Sequence, residues 1–290
     1  AMSFNNFKKL KKKEIYEVFI DSKFKKGKMT FGELLIPGRI KKEVMISTNI
    51  CHPSMANNEL SGPVVSTFLA KWIKKKKRKY SYRFLFLPET IGAISYLSTR
   101  YKYLKKNVVA GFNVVCVGDN RNYSYLPSRN ENSLSDIIAK HILKRKTKNF
   151  KYYKWIDRGS DERQFCSPGI DLPIASIMRS KYGTYPEYHT SLDNLIDVVT
   201  PSGLKGGYNI LKSCLELIEE NFFLKNLILC EPFYNKRNLY PQITKKDDKF
   251  RKQILRMNHI VSYSDGKTPA VFIADKLSIS TIKLLVLIKI

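Results

Sequence analysis

The stretch Cys51-His52-Pro53-Ser54-Met55-Ala56-Asn57-Asn58-Glu59-Leu60-Ser61-Gly62 places an imidazole, an amide and a carboxylate within one polar loop. Such donors can take a divalent cation. Three further positions carry related chemistry. Glu89 follows the apolar run Phe84-Leu85-Phe86-Leu87-Pro88, Asp119 follows Val114-Val115-Cys116-Val117-Gly118, and His189 sits in Tyr185-Pro186-Glu187-Tyr188-His189-Thr190-Ser191-Leu192-Asp193-Asn194. Taken singly, each acid reads as a helix cap or a solvated loop residue, and each histidine as a packed or surface residue. Together, two histidines and several carboxylates at one edge of a sheet form a ligand set for zinc or a similar divalent metal, as one ion or two. An unfilled coordination position on such an ion can activate water.

The elements that must position these groups are legible as alternating periods. Short apolar, partly β-branched runs at 15–20, 30–36, 44–50, 81–87, 108–117 and 173–178 read as strands. Helical spacing of apolar residues recurs at 63–76, 90–104, 133–146 and 202–221. Ser133 with Asp136 is a capping-box pattern at a helix start. Strands alternating with helices predict an α/β protein, three layers deep as α/β/α around a central sheet. The first two strands, joined by Lys25-Lys26-Gly27-Lys28, read as a hairpin, so the sheet is expected to be mixed but mostly parallel. The chemical residues then fall at the carboxyl ends of strands, where open α/β sheets bind ligands. After Cys230-Glu231-Pro232 the composition changes, and helical runs at 249–259 and 269–277, a turn at Ser264-Asp265-Gly266-Lys267 and a further segment from Ser278 suggest a small winged-helix-like unit. The expected division is a domain over 1–228 and this unit over 229–290.

The chain has 290 residues, 43% of them hydrophobic and 12% aromatic, which argues for a folded core and against disorder. Its 52 basic and 25 acidic residues leave a net charge of +27, compatible with nucleic acid, anionic surfaces or acidic glycans. The lysines lie in scattered runs such as Lys74-Lys75-Lys76-Lys77, most simply a solvated helix end. Five cysteines with no C-x-x-C pair argue against a zinc ribbon or disulfide scaffold and fit a reducing cytoplasm. The apolar stretch Leu284-Leu285-Val286-Leu287-Ile288 is too short to span a bilayer.

Several segments in order, Tyr16–Ser22, Cys51–Gly62, Pro88–Gly92, Val117–Asp119, Ser124–Arg129, Gly159–Glu162 and Tyr188–Asn194, give the chain a likeness to a known family. It resembles the co-catalytic zinc aminopeptidases, which share their fold with glutaminyl cyclases. More closely it resembles the aminopeptidase-like proteins encoded with bacterial polysaccharide-biosynthesis genes, whose C-terminal winged-helix segment is similar to Tyr263–Lys267 here. The resemblance implies a zinc-peptidase-like, phosphorylase-like fold, with the chain starting near a strand that lies mid-domain in the family. It implies that His52 and His189 are terminal ligands of a metal pair and Asp119 a carboxylate ligand. Glu89 would be general base or ligand, and Tyr188 a donor to the tetrahedral oxyanion. The chain departs from the family where a bridging aspartate is expected: Asn58 stands there, followed by Glu59, and a neutral amide bridges two cations poorly. The family's Glu-Glu pair is reduced to Glu89-Thr90. Arg158, Asp161, Glu162 and Arg163 are candidates for substrate binding, and Glu162 could compensate for a missing acid.

Three functions compete. The first is a metal-dependent hydrolase acting on a peptide or on an amide of an amino sugar. The second is a catalytically impaired binding or regulatory protein of the same fold, for which Asn58 and the single Glu89 argue. The third is nucleic-acid binding through the C-terminal unit, ranked last because 278–290 carries only Lys283 and Lys289 as charges. A homo-oligomer is compatible with all three.

Overall fold

The computed structural model describes residues 2–237 and 248–288. It divides into two compact units between Glu219 and Glu220. The first begins with an exposed helix α1 (Phe4–Lys9) and then builds a seven-stranded sheet from β1 (Gly32–Ile36), β2 (Glu43–Asn49), β3 (Ser81–Leu87), β4 (Val108–Asn113), β5 (Ser124–Leu126), β6 (Lys151–Tyr152) and β7 (Ile174–Met178). Its other helices are α2 (Ser61–Ile73), α3 (Ile91–Asn107), α4 (Leu134–Lys146), α5 (Glu162–Phe165) and α6 (Pro201–Glu220).

The strand order is β1-β3-β2-β4-β7-β5-β6. β3, β2, β4 and β7 run parallel, β1 is antiparallel to β3, and β5 is antiparallel to β7. The mixed sheet is therefore as expected, but its antiparallel edge has another origin. Residues 15–20 form no strand; Ile15, Val18, Phe19 and Ile20 are exposed. A β-branched run needs a neighbouring edge to pair with, and β1 finds its partner in β3 instead. The short strands β5 and β6 leave no signal in the sequence, because three and two residues carry no period.

Every residue of β2 is buried, as a central strand covered on both faces requires. β1, at the edge, alternates. Met45, Leu85 and Leu87 pack in one cluster with Ala93, Tyr96, Leu97 and Leu104 of α3. Tyr82, on the alternate register of β3, sends its hydroxyl to Glu219 of α6 at 2.9 Å. Because side chains alternate along a strand, α3 and α6 cover opposite faces, which gives the three layers. The expected capping box of α4 is present at Ser133 and Asp136.

The second unit holds β8 (Phe223–Lys225), α7 (Asp248–Ser262), β9 (Asp265–Pro269), α8 (Ala270–Lys276) and α9 (Thr281–Ile288). β8 pairs antiparallel with β9, so the segment read as a turn at 264–267 is mostly strand. This pairing draws residues 223–225 into the second unit, and the division falls earlier than the expected 228/229. Ile260, Ala270, Ile273, Ala274, Ile279, Leu284 and Leu287 form its core. Part of the polar stretch after Pro232, at 238–247, and Lys289 lie outside the described residues.

Candidate metal centre

Three of the four positions follow strands at the carboxyl edge of the parallel sheet, and the fourth, His189, comes beside His52 from the long loop after β7. β2 delivers Cys51 and His52, β3 delivers Glu89, and β4 leads through Val114–Gly118 to Asp119. Between β2 and α2 the chain makes a π-helical turn, Ala56–Leu60. Such wide turns are rare and are frequent at functional sites. The Asp193 carboxylate holds this one from a distant loop, accepting the N–H groups of Asn57 at 2.7 Å and Asn58 at 3.0 Å. Asn57 ties the same turn to the end of β4. Its Oδ1 accepts Gly118 N–H at 2.8 Å and its Nδ2 donates to Asp119 at 3.1 Å. Gly62, at the start of α2, must be glycine, because a Cβ there would lie 2.2 Å from Thr48 Oγ1 and 2.3 Å from the Val114 carbonyl oxygen.

His52 lies at the centre. Its Nδ1 is 3.1 Å from Glu59 Oε2 and 3.3 Å from Cys51 Sγ; its Nε2 is 3.9 Å from Glu89 Oε2. Glu59 is almost fully buried, and its other oxygen accepts the Cys51 backbone N–H. The Glu89 N–H donates to Cys51 Sγ at 3.1 Å. Partial loss of solvent around the sulfur, reinforced by the charges of Glu59 and Glu89, pushes the Cys51 thiol up to about 11 although the residue is exposed. His189 stands beside His52 with ring centroids 5.0 Å apart, and its Nε2 is 3.4 Å from Asn58 Nδ2. Burial and then the neighbouring His52 lower its pKa. Tyr188 stacks on His189 at 3.9 Å, and burial holds its phenol well above the usual range.

The remaining expected residues do other work. Asp119 is buried and its carboxylate accepts from Asn57 Nδ2, Arg121 N, Ser180 N and Ser180 Oγ at 2.7 to 3.1 Å. Glu162 accepts from Asn113, Ser176, Gly159, Ser160 and Tyr182 and ties its own loop to β4 and β7. Arg158 is exposed over the Trp155 ring. Asp161 and Arg163 support the Glu89-Thr90 turn. Asp161 Oδ1 accepts Thr90 N–H at 2.7 Å, and Arg163 donates to Thr90 Oγ1. Thr90 has φ 64°, a strained conformation for a β-branched residue. Asp161 is fully buried and its Oδ2 has no hydrogen-bond partner. Burial raises its pKa to about 7, against the Thr90 N–H and with the help of the Glu89 and Glu162 charges. A cleft of about 590 Å³ lined by Ser128, Arg129, Asn130, Ser133, Asp171 and Pro173 contains none of these site residues.

A profile described as a domain of unknown function, DUF4910, matches residues 12–221. The chain belongs to the DUF4910 family. It is 41% identical over 262 residues to a Clostridium acetobutylicum protein provisionally named a polysaccharide biosynthesis protein with aminopeptidase-like domain, covering 90% of this chain and 59% of that one. It thus spans well under two thirds of that relative's length. The crystal structure of a provisionally named peptidase from the same organism aligns with TM-score 0.72 and 37% identity over 89% of this chain and 58% of that chain. A zinc aminopeptidase from Bacillus subtilis shares the fold at TM-score 0.55 and 17% identity, over 65% of this chain and 49% of its own.

Zinc stands in the name of the Bacillus subtilis protein that shares the fold, and the donors of this DUF4910 chain suit one arrangement of it and not another. A paired centre does not fit. Asp119 is engaged by four protein donors, and Asn58 supplies a neutral amide with its Nδ2 toward His189. A single ion does fit. Among the described residues, Cys51, His52 and Glu59 bring one donor atom each within 4.8 Å of one another. Cys51, Asn57 and Asp193 were missed as site residues. A lone cysteine without C-x-x-C spacing gives no signal, and the contacts of Asn57 and Asp193 are long-range.

Proposed function

We propose that this chain is a metal-dependent, aminopeptidase-like hydrolase of an amide or peptide bond, working in surface-polysaccharide biosynthesis. The observation that carries the reading is the meeting of His52, Glu59 and Glu89 at the carboxyl edge of the sheet, in a chain with a 41% identical relative that carries the aminopeptidase-like name. Zinc or another divalent ion, when bound, supplies Lewis acidity toward a carbonyl and toward water. His52 and Glu59 hold it. Glu89 takes the proton of the attacking water and returns it to the leaving amine. Tyr188, kept protonated by burial and fixed by its stack on His189, donates to the developing oxyanion. Arg163 and Asp161 hold the turn that aims Glu89. Substrates are a peptide N-terminus or an amino-sugar amide. The setting is cytoplasmic, for which all five cysteines being free speaks. We read the second unit as winged-helix-like.

A panel of aminoacyl and amino-sugar amides, assayed with zinc, manganese and cobalt, tests the proposal. Turnover is expected, falling roughly 10²-fold or more in Glu89→Gln. Absence of turnover across the panel would favour the second reading, a binding protein that keeps the fold, which the engaged Asp119 and neutral Asn58 already support.

A further inference from the structure

We propose that the centre is a mononuclear thiolate site: one zinc-type ion held by Cys51 Sγ, His52 Nδ1 and a Glu59 carboxylate oxygen. The proposal takes its metal from the reading above but does not depend on turnover.

The three donors are spaced as ligands of one small cation would be. Zinc bonds of about 2.0 Å to nitrogen or oxygen and about 2.3 Å to sulfur give tetrahedral edges of roughly 3.3 to 3.6 Å. The His52 Nδ1–Glu59 Oε2 separation is 3.1 Å and the Cys51 Sγ–His52 Nδ1 separation is 3.3 Å. The donors are also pre-aimed. Glu59 Oε1 accepts the Cys51 N–H, which leaves Oε2 facing the imidazole. Cys51 Sγ accepts the Glu89 N–H at 3.1 Å, a contact that suits a negatively charged sulfur. Glu59 is 3% exposed, so its carboxylate lies where a cation would neutralise it.

A nucleophilic thiol is the rival use of the same three residues, and the geometry argues against it. An activated cysteine needs its base oriented through the opposite ring nitrogen. Here Cys51 and Glu59 converge on the same nitrogen, Nδ1. Glu89 Oε2 is the carboxylate on the opposite side, and at 3.9 Å from Nε2 it lies beyond hydrogen-bond reach, so the arrangement is that of ligands around an ion and not of a relay. Binding exchanges the thiol proton, released to solvent, for a sulfur–metal bond.

Cobalt titration of the metal-stripped full chain reads the sulfur directly, through the thiolate-to-cobalt charge-transfer absorption in the near ultraviolet. One ion per chain with that band is expected, displaced by zinc. Cys51→Ser should lose the band and bind zinc more weakly by roughly tenfold or more, with an unchanged circular dichroism spectrum. A second measurement avoids any folding defect. Cys51 and Cys230 are the two exposed thiols, so a Cys230→Ser background leaves Cys51 to react with iodoacetamide. Zinc should slow that alkylation. Two ions per chain without the band, no ion at all, or an alkylation rate indifferent to zinc would each overturn the proposal. Turnover with two bound ions would sink it while sparing the hydrolase; the band without turnover would do the reverse.

Discussion

Asp161 shows how much of this site is held by groups that need not touch a substrate. Its buried carboxyl is raised to about 7 from an ordinary value of 3.8, chiefly by loss of solvent. A carboxyl raised on folding favours the folded state below the unfolded value and loses that contribution as pH rises through the folded one. Stability should therefore decline between about pH 4 and about pH 7 more steeply in the parent than in Asp161→Asn. Paired denaturant titrations at several pH values check this; parallel curves would refute it. At this scale the sequence was informative about donors and silent about their neighbours. The types of His52, Glu59, Glu89 and His189, and the positions of His52 and Glu89 just after apolar runs, are local facts of the chain. That Asp119 accepts from Ser180 and from the Arg121 N–H depends on how two loops close over each other.

Among the elements, the junction of β2 and α2 is the most constrained. Adding a methyl group at Gly62 would put carbon against Thr48 and the Val114 carbonyl, so backbone must move. Gly62→Ala should cost about 3 kcal/mol or more in denaturant titration, in the range of severe steric substitutions. Asp193→Ala removes two charge-assisted acceptors from the π-helical turn and should cost about 2 to 3 kcal/mol while leaving the far-ultraviolet spectrum intact. Full stability in either variant would mean the turn is held by other contacts. Central strands and long helices were legible because burial on both faces or on one stripe leaves a period in the chain. Residues 15–20 carried a strand-like composition without an edge to pair with. The second unit's β9 was hidden in a turn-like Ser-Asp-Gly-Lys, since Asp265 accepts the N–H groups of Lys267 and Thr268 and still pairs with β8.

For the whole molecule, the net charge of +27 means self-repulsion in the compact state. Melting temperature should rise by a few degrees between low salt and about 0.15 M salt as that repulsion is screened. Calorimetry at two ionic strengths measures it, and a fall in melting temperature would show that favourable ion pairs outweigh the excess charge. The division into two units and the alternation of strands with helices were visible as shifts in composition and period. The position of the division was not, because it turns on a strand of three residues.

The clamp on the π-helical turn has one more consequence. All seven strands of the main sheet are complete by residue 178, whereas the aspartate that shapes the loop after β2 arrives at 193. A nascent chain thus holds every strand of that sheet before it holds the carboxylate that shapes the loop, with α6 still to follow. In reverse, peeling the 185–193 segment away should unsettle the loop after β2 while the strands persist, so the arrangement of His52 and Glu59 and the foldedness of the sheet need not vanish together on warming.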